Sequence, residues 1–172
     1  MAIRKILTQG NPLLTKKCHA VSRFDEKLWL MLGDMADTLR EARGIGLAAP
    51  QVGIMRRIVV IDLAEGELLE LINPQIVSAE GEQTGAEACL SVPDQVGIVT
   101  RPMTVTLRAQ NREGNFFEVT GEALLARAFC HELDHLDGQL YLRLVKHFID
   151  PEEEWEDEDE ETLQISKKEE IV

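Results

Sequence analysis

The sequence predicts an α+β fold: mainly antiparallel strands packed around a central helix, with an N-terminal amphipathic helix ahead of them. Three observations carry this expectation. A helical apolar period lies before residue 43, a second begins near residue 122, and short β-like segments fill the interval. No helical segment separates those β-like stretches, which argues against βαβ crossovers and for mainly antiparallel pairing.

The elements follow in order. From Asp25 to Ala42, apolar Leu28, Met31, Leu32, Met35 and Leu39 recur at i, i+3, i+4 and i+7. Ser22 or Asp25 can cap the start of this helix, and Gly44 follows its end. The next stretch, "GIGLAAPQVG", is too rich in Gly and Pro to continue a helix, and its glycines let the backbone approach another group closely. Four β-like segments follow: "RRIVVIDL", "LLELINPQIV", "GIVTRPMTVTLRAQ" and "NFFEVTG". The turn signals are "AEGE", "INP" and "NREGN". The spacing then predicts a second helix over Glu122 to Leu136, stopped by Gly138, and this helix carries His-Glu-x-x-His.

With 172 residues, 44% of them hydrophobic and 28% charged, the chain is expected to form one catalytic-size domain over 1–149. Residues 150–172 form an acidic tail expected to be flexible. The net charge of -13 belongs mostly to that tail, which holds twelve Asp or Glu against two Lys. The remaining 149 residues hold 19 acids against 16 Lys or Arg, a balance that gives no basis for direct nucleic-acid binding. No apolar run reaches membrane length and no secretory signal opens the chain, so the cytoplasm is the expected compartment, without membrane contact. Cys18, Cys89 and Cys130 are an odd set and are read as reduced thiols.

The chemistry centres on "FCHELDHLDG". On a helix, His131 and His135 project from one face and suit two nitrogen ligands, with Glu132 beside them. A chance match on an amphipathic helix is the plain alternative. The third ligand decides the class. A metzincin-type continuation requires a third His at position 141, which is Tyr141. A thermolysin-like site would need an acid such as Glu154 or Glu156, both inside the acidic tail. Cys89 in "EACLS" remains, and a thiolate with two imidazoles leaves a coordination position open for water. Cys130 lies about 100° round the helix from His131 and reads as a small buried residue. Cys18, His19 and His147 lack a supporting pattern and read as structural or surface residues.

Together, "GIGLAAPQ" (44–51), "EACLS" (87–91) and "CHELDHLDG" (130–138) resemble the bacterial peptide deformylase family, over about residues 3 to 145. The resemblance implies hydrolysis of the N-formyl group from the initiator methionine of nascent chains. It implies one divalent metal ion, Fe²⁺ in the cell with Zn²⁺, Ni²⁺ or Co²⁺ as substitutes, held by Cys89, His131 and His135. Glu132 would be the general acid/base, Gln51 and the Leu90 N–H the oxyanion donors, and backbone at Ile45 and Gly46 the substrate-pairing strand. Glu87, Arg101 and Asp134 would orient ligands or brace loops, although Asp134 fits a surface salt bridge equally well and Gln51 could simply cap a loop.

Two positions depart from the family pattern. Ala88 stands where Gly is usual, a strain of about 1 kcal/mol only if φ there is positive. Cys130 replaces a usual Gln, which predicts altered packing or redox sensitivity rather than lost activity. The substrates implied are N-formyl-methionyl peptides and nascent chains. Ribosome contact is compatible with this role, but phosphate would repel the acidic tail, so docking through a basic C-terminal helix is not expected. The competing functions are a His-Glu-x-x-His zinc peptidase and a non-catalytic metal-binding or interaction module.

Overall fold

A computed structural model describes residues 2–63 and 67–151. Its elements are α1 (Glu26–Ala42), β1 (Gly46–Ala48), β2 (Ile58–Leu63), β3 (Glu67–Glu80), β4 (Gln83–Cys89), β5 (Val92–Arg101), β6 (Thr104–Gln110), β7 (Phe116–Glu122), α2 (Leu124–Leu136) and β8 (Phe148–Ile149). Strands β1-β2-β3-β6-β7 form one sheet and β4-β5-β8 another. Every pairing within them is antiparallel, as the missing crossovers require.

Helix α1 starts where expected: Asp25 accepts from the Leu28 N–H at 3.2 Å, supplying one orphan donor with a partner. Its end is turned by Arg43 in the left-handed region, one residue before Gly44. Helix α2 begins two residues later than the sequence suggests, after Ala123 at φ 49°. Gly138 does stop it, at φ +72°, where any Cβ would sit 2.6 Å from the Thr15 carbonyl carbon. Only glycine meets both demands.

The two helices pack on opposite faces of the five-stranded sheet. Val59 and Ile61 of β2 face Ala126, Phe129, Leu133 and Leu136 of α2. The intervening Ile58 and Val60 face Leu28, Leu32, Met35 and Leu39 of α1. Burial on both faces explains why "IVVI" is apolar without alternation. A smaller cluster of Cys89, Val92, Val99 and Tyr141 joins β4 and β5 to the turn after α2.

Three strand expectations need correction. "INP" does not end a strand: it is a bulge inside β3, with a register shift between Ile72 and Gln75 and Asn73 at φ 53°. "GIVTRPMTVTLRAQ" is divided at Pro102 into the end of β5 and all of β6. Strand β4, "QTGAEAC", goes unforeseen, since its small and polar residues carry little strand propensity. Among the described residues, no helix is long and apolar enough to cross a membrane.

Candidate metal centre

Cys89 closes β4, and His131 and His135 stand one turn apart on α2. The fold brings the sulfur of the first and a nitrogen of each imidazole within 4.8 Å of one another, all three residues buried. Cys89 Sγ lies 3.3 Å from His135 Nε2. Ligand atoms on a tetrahedron around a zinc-sized ion stand roughly 3.3–3.6 Å apart, so the spacing suits a shared ion.

Orphaned atoms give the fit a second support. His131 Nε2 and both carboxylate oxygens of Glu132 are buried with no hydrogen-bond partner among the described residues. Leaving such groups unpaired costs about 1–3 kcal/mol each. A divalent cation with a coordinated water would supply partners to all three. His135 Nδ1 is also without a partner among the described residues.

Glu87 orients the first imidazole. Its Oε1 accepts from His131 Nδ1 at 2.7 Å and from Arg101 Nη2 at 2.6 Å. Its Oε2 accepts from Arg127 Nη1 at 2.9 Å and from Arg101 Nε at 3.2 Å. Burial pushes the Glu87 carboxyl up, but the His131 and Arg101 hydrogen bonds outweigh it and hold it well below the usual carboxylate range. With its Nδ1–H donated to this anion, His131 keeps a lone pair on Nε2 for an ion. Burial opposes a proton on the His131 ring, but the Cys89 sulfur and the Glu87 carboxylate outweigh burial and raise its pKa well above the ordinary value. His135 moves the other way, through burial and then through the His131 charge.

Glu132 is pushed up to about 7 by burial. Gly46 of β1 lies directly against it: a Cβ there would fall 2.5 Å from Glu132 Oε1. Strand β1 is an edge of the five-stranded sheet, so one side of its backbone has no strand neighbour among the described residues. Gln51 is buried, with Oε1 accepting from the Ala48 N–H at 2.8 Å and Nε2 donating to Ser91 Oγ at 3.1 Å. The same Nε2 lies 3.7 Å from Cys89 Sγ. The amide thus caps its loop and also faces the metal cluster. Leu90, half-buried, follows Cys89 and packs toward Gly44. Asp134 bridges Arg101 at 2.8 Å and the more exposed Arg143 at 2.9 Å, so it has a bracing and a surface contact at once.

The other thiols stand apart from this cluster. Cys130 packs in the core with Phe129 and Leu133, and burial raises its pKa. Cys18, in the same core, is pushed up to about 11 by burial. His19 is exposed, and His147 is absent from the ligand group. Ala88 is not among the residues at positive φ, so its methyl brings no backbone strain. Glu154, Glu156 and the acidic tail beyond Pro151 lie outside the described residues.

Three contributors escaped the sequence reading. Ser91 accepts from Gln51 and donates its N–H toward Cys89 Sγ at 3.4 Å. Tyr141 lies with its ring centroid 5.8 Å from that of His131 and donates its hydroxyl to the Gln95 carbonyl at 2.8 Å. Arg127 stands four residues before His131, a spacing that puts both on one helix face without revealing what the guanidinium meets across the fold.

Residues 3–163 match the sequence model of the polypeptide deformylase family. The peptide deformylase of Caldanaerobacter subterraneus is 54% identical over 153 residues, covering 89% of this chain and 96% of that one. That of Agathobacter rectalis is 52% identical over 146 residues, covering 85% and 92%. A crystal structure of a peptide deformylase from Legionella pneumophila superposes with a TM-score of 0.82 at 45% identity, covering 84% and 86%. One from Synechococcus elongatus, solved in complex with actinonin, superposes at 0.81 with 37% identity, covering 86% and 81%. These likenesses run through the strands and helices that assemble the Cys89, His131 and His135 cluster, and the chain belongs to the polypeptide deformylase family.

Proposed function

We propose that this chain removes the N-formyl group from the N-terminal methionine of nascent peptides, releasing formate, through a single divalent ion held by Cys89, His131 and His135. Removal of that formyl group is the activity of its family. The observation that carries the residue assignment is the buried cluster of three ligand atoms beside the unpartnered Glu132 carboxylate. The soft thiolate and two imidazoles suit Fe²⁺ in the reducing cytoplasm, and also admit Zn²⁺, Ni²⁺ or Co²⁺. When bound, such an ion supplies Lewis acidity, lowering the pKa of water at the site from 15.7 toward about 7.

The chain's own groups perform the remaining work. The backbone of Ile45 and Gly46, at the edge of the sheet, pairs with the extended peptide by strand addition. Because Gly46 has no Cβ, the peptide's formyl end can come alongside Glu132. Glu132 accepts the proton of water as its oxygen bonds to the formyl carbon. The charge then developing on the formyl oxygen is met by Gln51 Nε2 and the Leu90 N–H, each such donor contributing about 3 kcal/mol. Glu132 returns the proton to the amine nitrogen as the C–N bond breaks, giving formate and a free N-terminus. Burial raises the proton affinity of this carboxyl, which favours taking a proton from water and handing it on to the amine.

Formate release from a formyl-methionyl peptide, with metal analysis of anaerobically purified protein, tests this reading. Glu132→Ala is expected to keep its metal and lose activity by about 10²–10⁴-fold. Cys89→Ala is expected to lose both metal and activity. A metal-bearing parent that releases no formate sinks the assignment. Retained metal and activity in Cys89→Ala would point instead to a peptidase with another third ligand.

A further inference from the structure

We propose that Arg127 is a positioning residue for this metal centre, tying Glu87 and the helix that carries both histidines to the hairpin that carries Cys89. The inference rests on the metal-dependent deformylase reading given above. Arg127 lies one turn ahead of His131 on α2, so both side chains leave the same helix face. It is 3% exposed. Its Nη1 donates to Glu87 Oε2 at 2.9 Å and to the Val99 carbonyl at 3.0 Å.

These contacts form a seam. Glu87 belongs to β4, two residues before Cys89, and Val99 belongs to β5, opposite Gly85 of β4. One guanidinium on α2 therefore grips both strands of the β4–β5 hairpin. The sulfur ligand lies on the hairpin side of that seam and the nitrogen ligands on the helix side. Their separation is set across it.

Glu87 receives four donors, two on each oxygen, which fills the acceptor capacity of a carboxylate. A group held this way has no freedom to rotate, and the His131 ring bonded to it inherits that rigidity. Charge balance alone does not call for Arg127, since Arg101 already gives Glu87 a two-point cationic partner. Burying a second guanidinium is costly unless its geometry contributes something further. The Val99 bond is that contribution, since it fixes the helix against the hairpin.

The test compares the parent with Arg127→Met, Arg127→Lys, Glu87→Gln and the Arg127→Met/Glu87→Gln double variant. Co²⁺ affinity of the metal-free proteins is read by chelator competition, the Co²⁺ absorption spectrum reports ligand geometry, and kcat and KM are measured on a formyl-methionyl peptide. Arg127→Met is expected to weaken Co²⁺ binding about 10–100-fold. It should also shift the absorption bands and lower kcat at saturating Co²⁺ with KM little changed. Arg127→Lys, able to reach one acceptor at a time, should recover part of the loss. The double variant should lose less Co²⁺ affinity than the two single losses combined, because both changes act on the same carboxylate, while the Val99 bond is lost only with Arg127.

Parent-like affinity and spectrum in Arg127→Met overturn the proposal. So does an additive loss in the double variant, which would mark Arg127 as a stability residue. Should Arg127→Met fail to fold, Arg127→Lys decides, and affinity within about twofold of the parent overturns the proposal. A parent that releases no formate while its Co²⁺ affinities follow this pattern defeats the deformylase reading and leaves Arg127 in its role. An active parent with unchanged Co²⁺ binding in Arg127→Met defeats the Arg127 inference alone.

Discussion

At the scale of single residues, the missing side chain of Gly46 matters as much as the side chains around it. Any Cβ there would meet Glu132 Oε1 at 2.5 Å, with Glu132 Cδ and Cγ at 2.9 Å. Gly46→Ala must therefore push the carboxylate aside, while the three metal ligands keep their places. The expected outcome is retained metal with kcat reduced by about 10²-fold, since misplacing a reacting group by 1 Å costs on that order. Single-turnover formate release on metal-saturated protein checks it, and parent-like rates would show that Glu132 has room to move. The ligand residues were readable beforehand because His-Glu-x-x-His and "EACLS" are dense in unusual residue types. Arg127 and Ser91 were not, because their roles depend on which backbone and side-chain atoms they meet across the fold. Ala88 shows the reverse limit, since only the backbone angles reveal that its methyl brings no backbone strain.

At the scale of elements, both helices were legible from their apolar period, and the antiparallel arrangement from the absence of crossovers. Strand β4 was hidden because its stability comes from pairing with β5 rather than from its own composition. The bulge in β3 was misread as a turn because Asn-Pro favours both. Its purpose is clear in the contacts: Asn73 accepts from the Val21 N–H and donates to the Val21 carbonyl and to Gln110 Oε1, each at 2.8 Å. Asn73→Ala loses these bonds and places a β-carbon residue less suited to φ 53°. A loss of roughly 3 kcal/mol follows at about 1 kcal/mol per bond, lowering Tm by about 6–12 °C. Thermal unfolding checks this, and a shift under about 2 °C would mean the bulge holds without its side chain.

At the scale of the whole molecule, metal binding is coupled to proton release. Because the Cys89 sulfur and Glu87 carboxylate overcome burial and raise the proton affinity of His131, an incoming ion competes with a proton for that imidazole. The sign follows directly: a raised pKa means more competing proton as pH falls. Apparent affinity should weaken about tenfold per pH unit on acidification while one proton is displaced. Chelator competition at several pH values between about 6 and 8 measures this, and a flat profile would show that binding displaces no proton over that range. The two-faced burial of β2 has a different global effect. Ile58 and Val60 belong to the core beneath α1, while Val59 and Ile61 belong to the core beneath α2. Neither helix can peel away without exposing one side of the same strand, so the two cores share a single unfolding event. In hydrogen–deuterium exchange, the amides of residues 58–61 should then be the last to exchange, at rates set by global opening and not by local fraying.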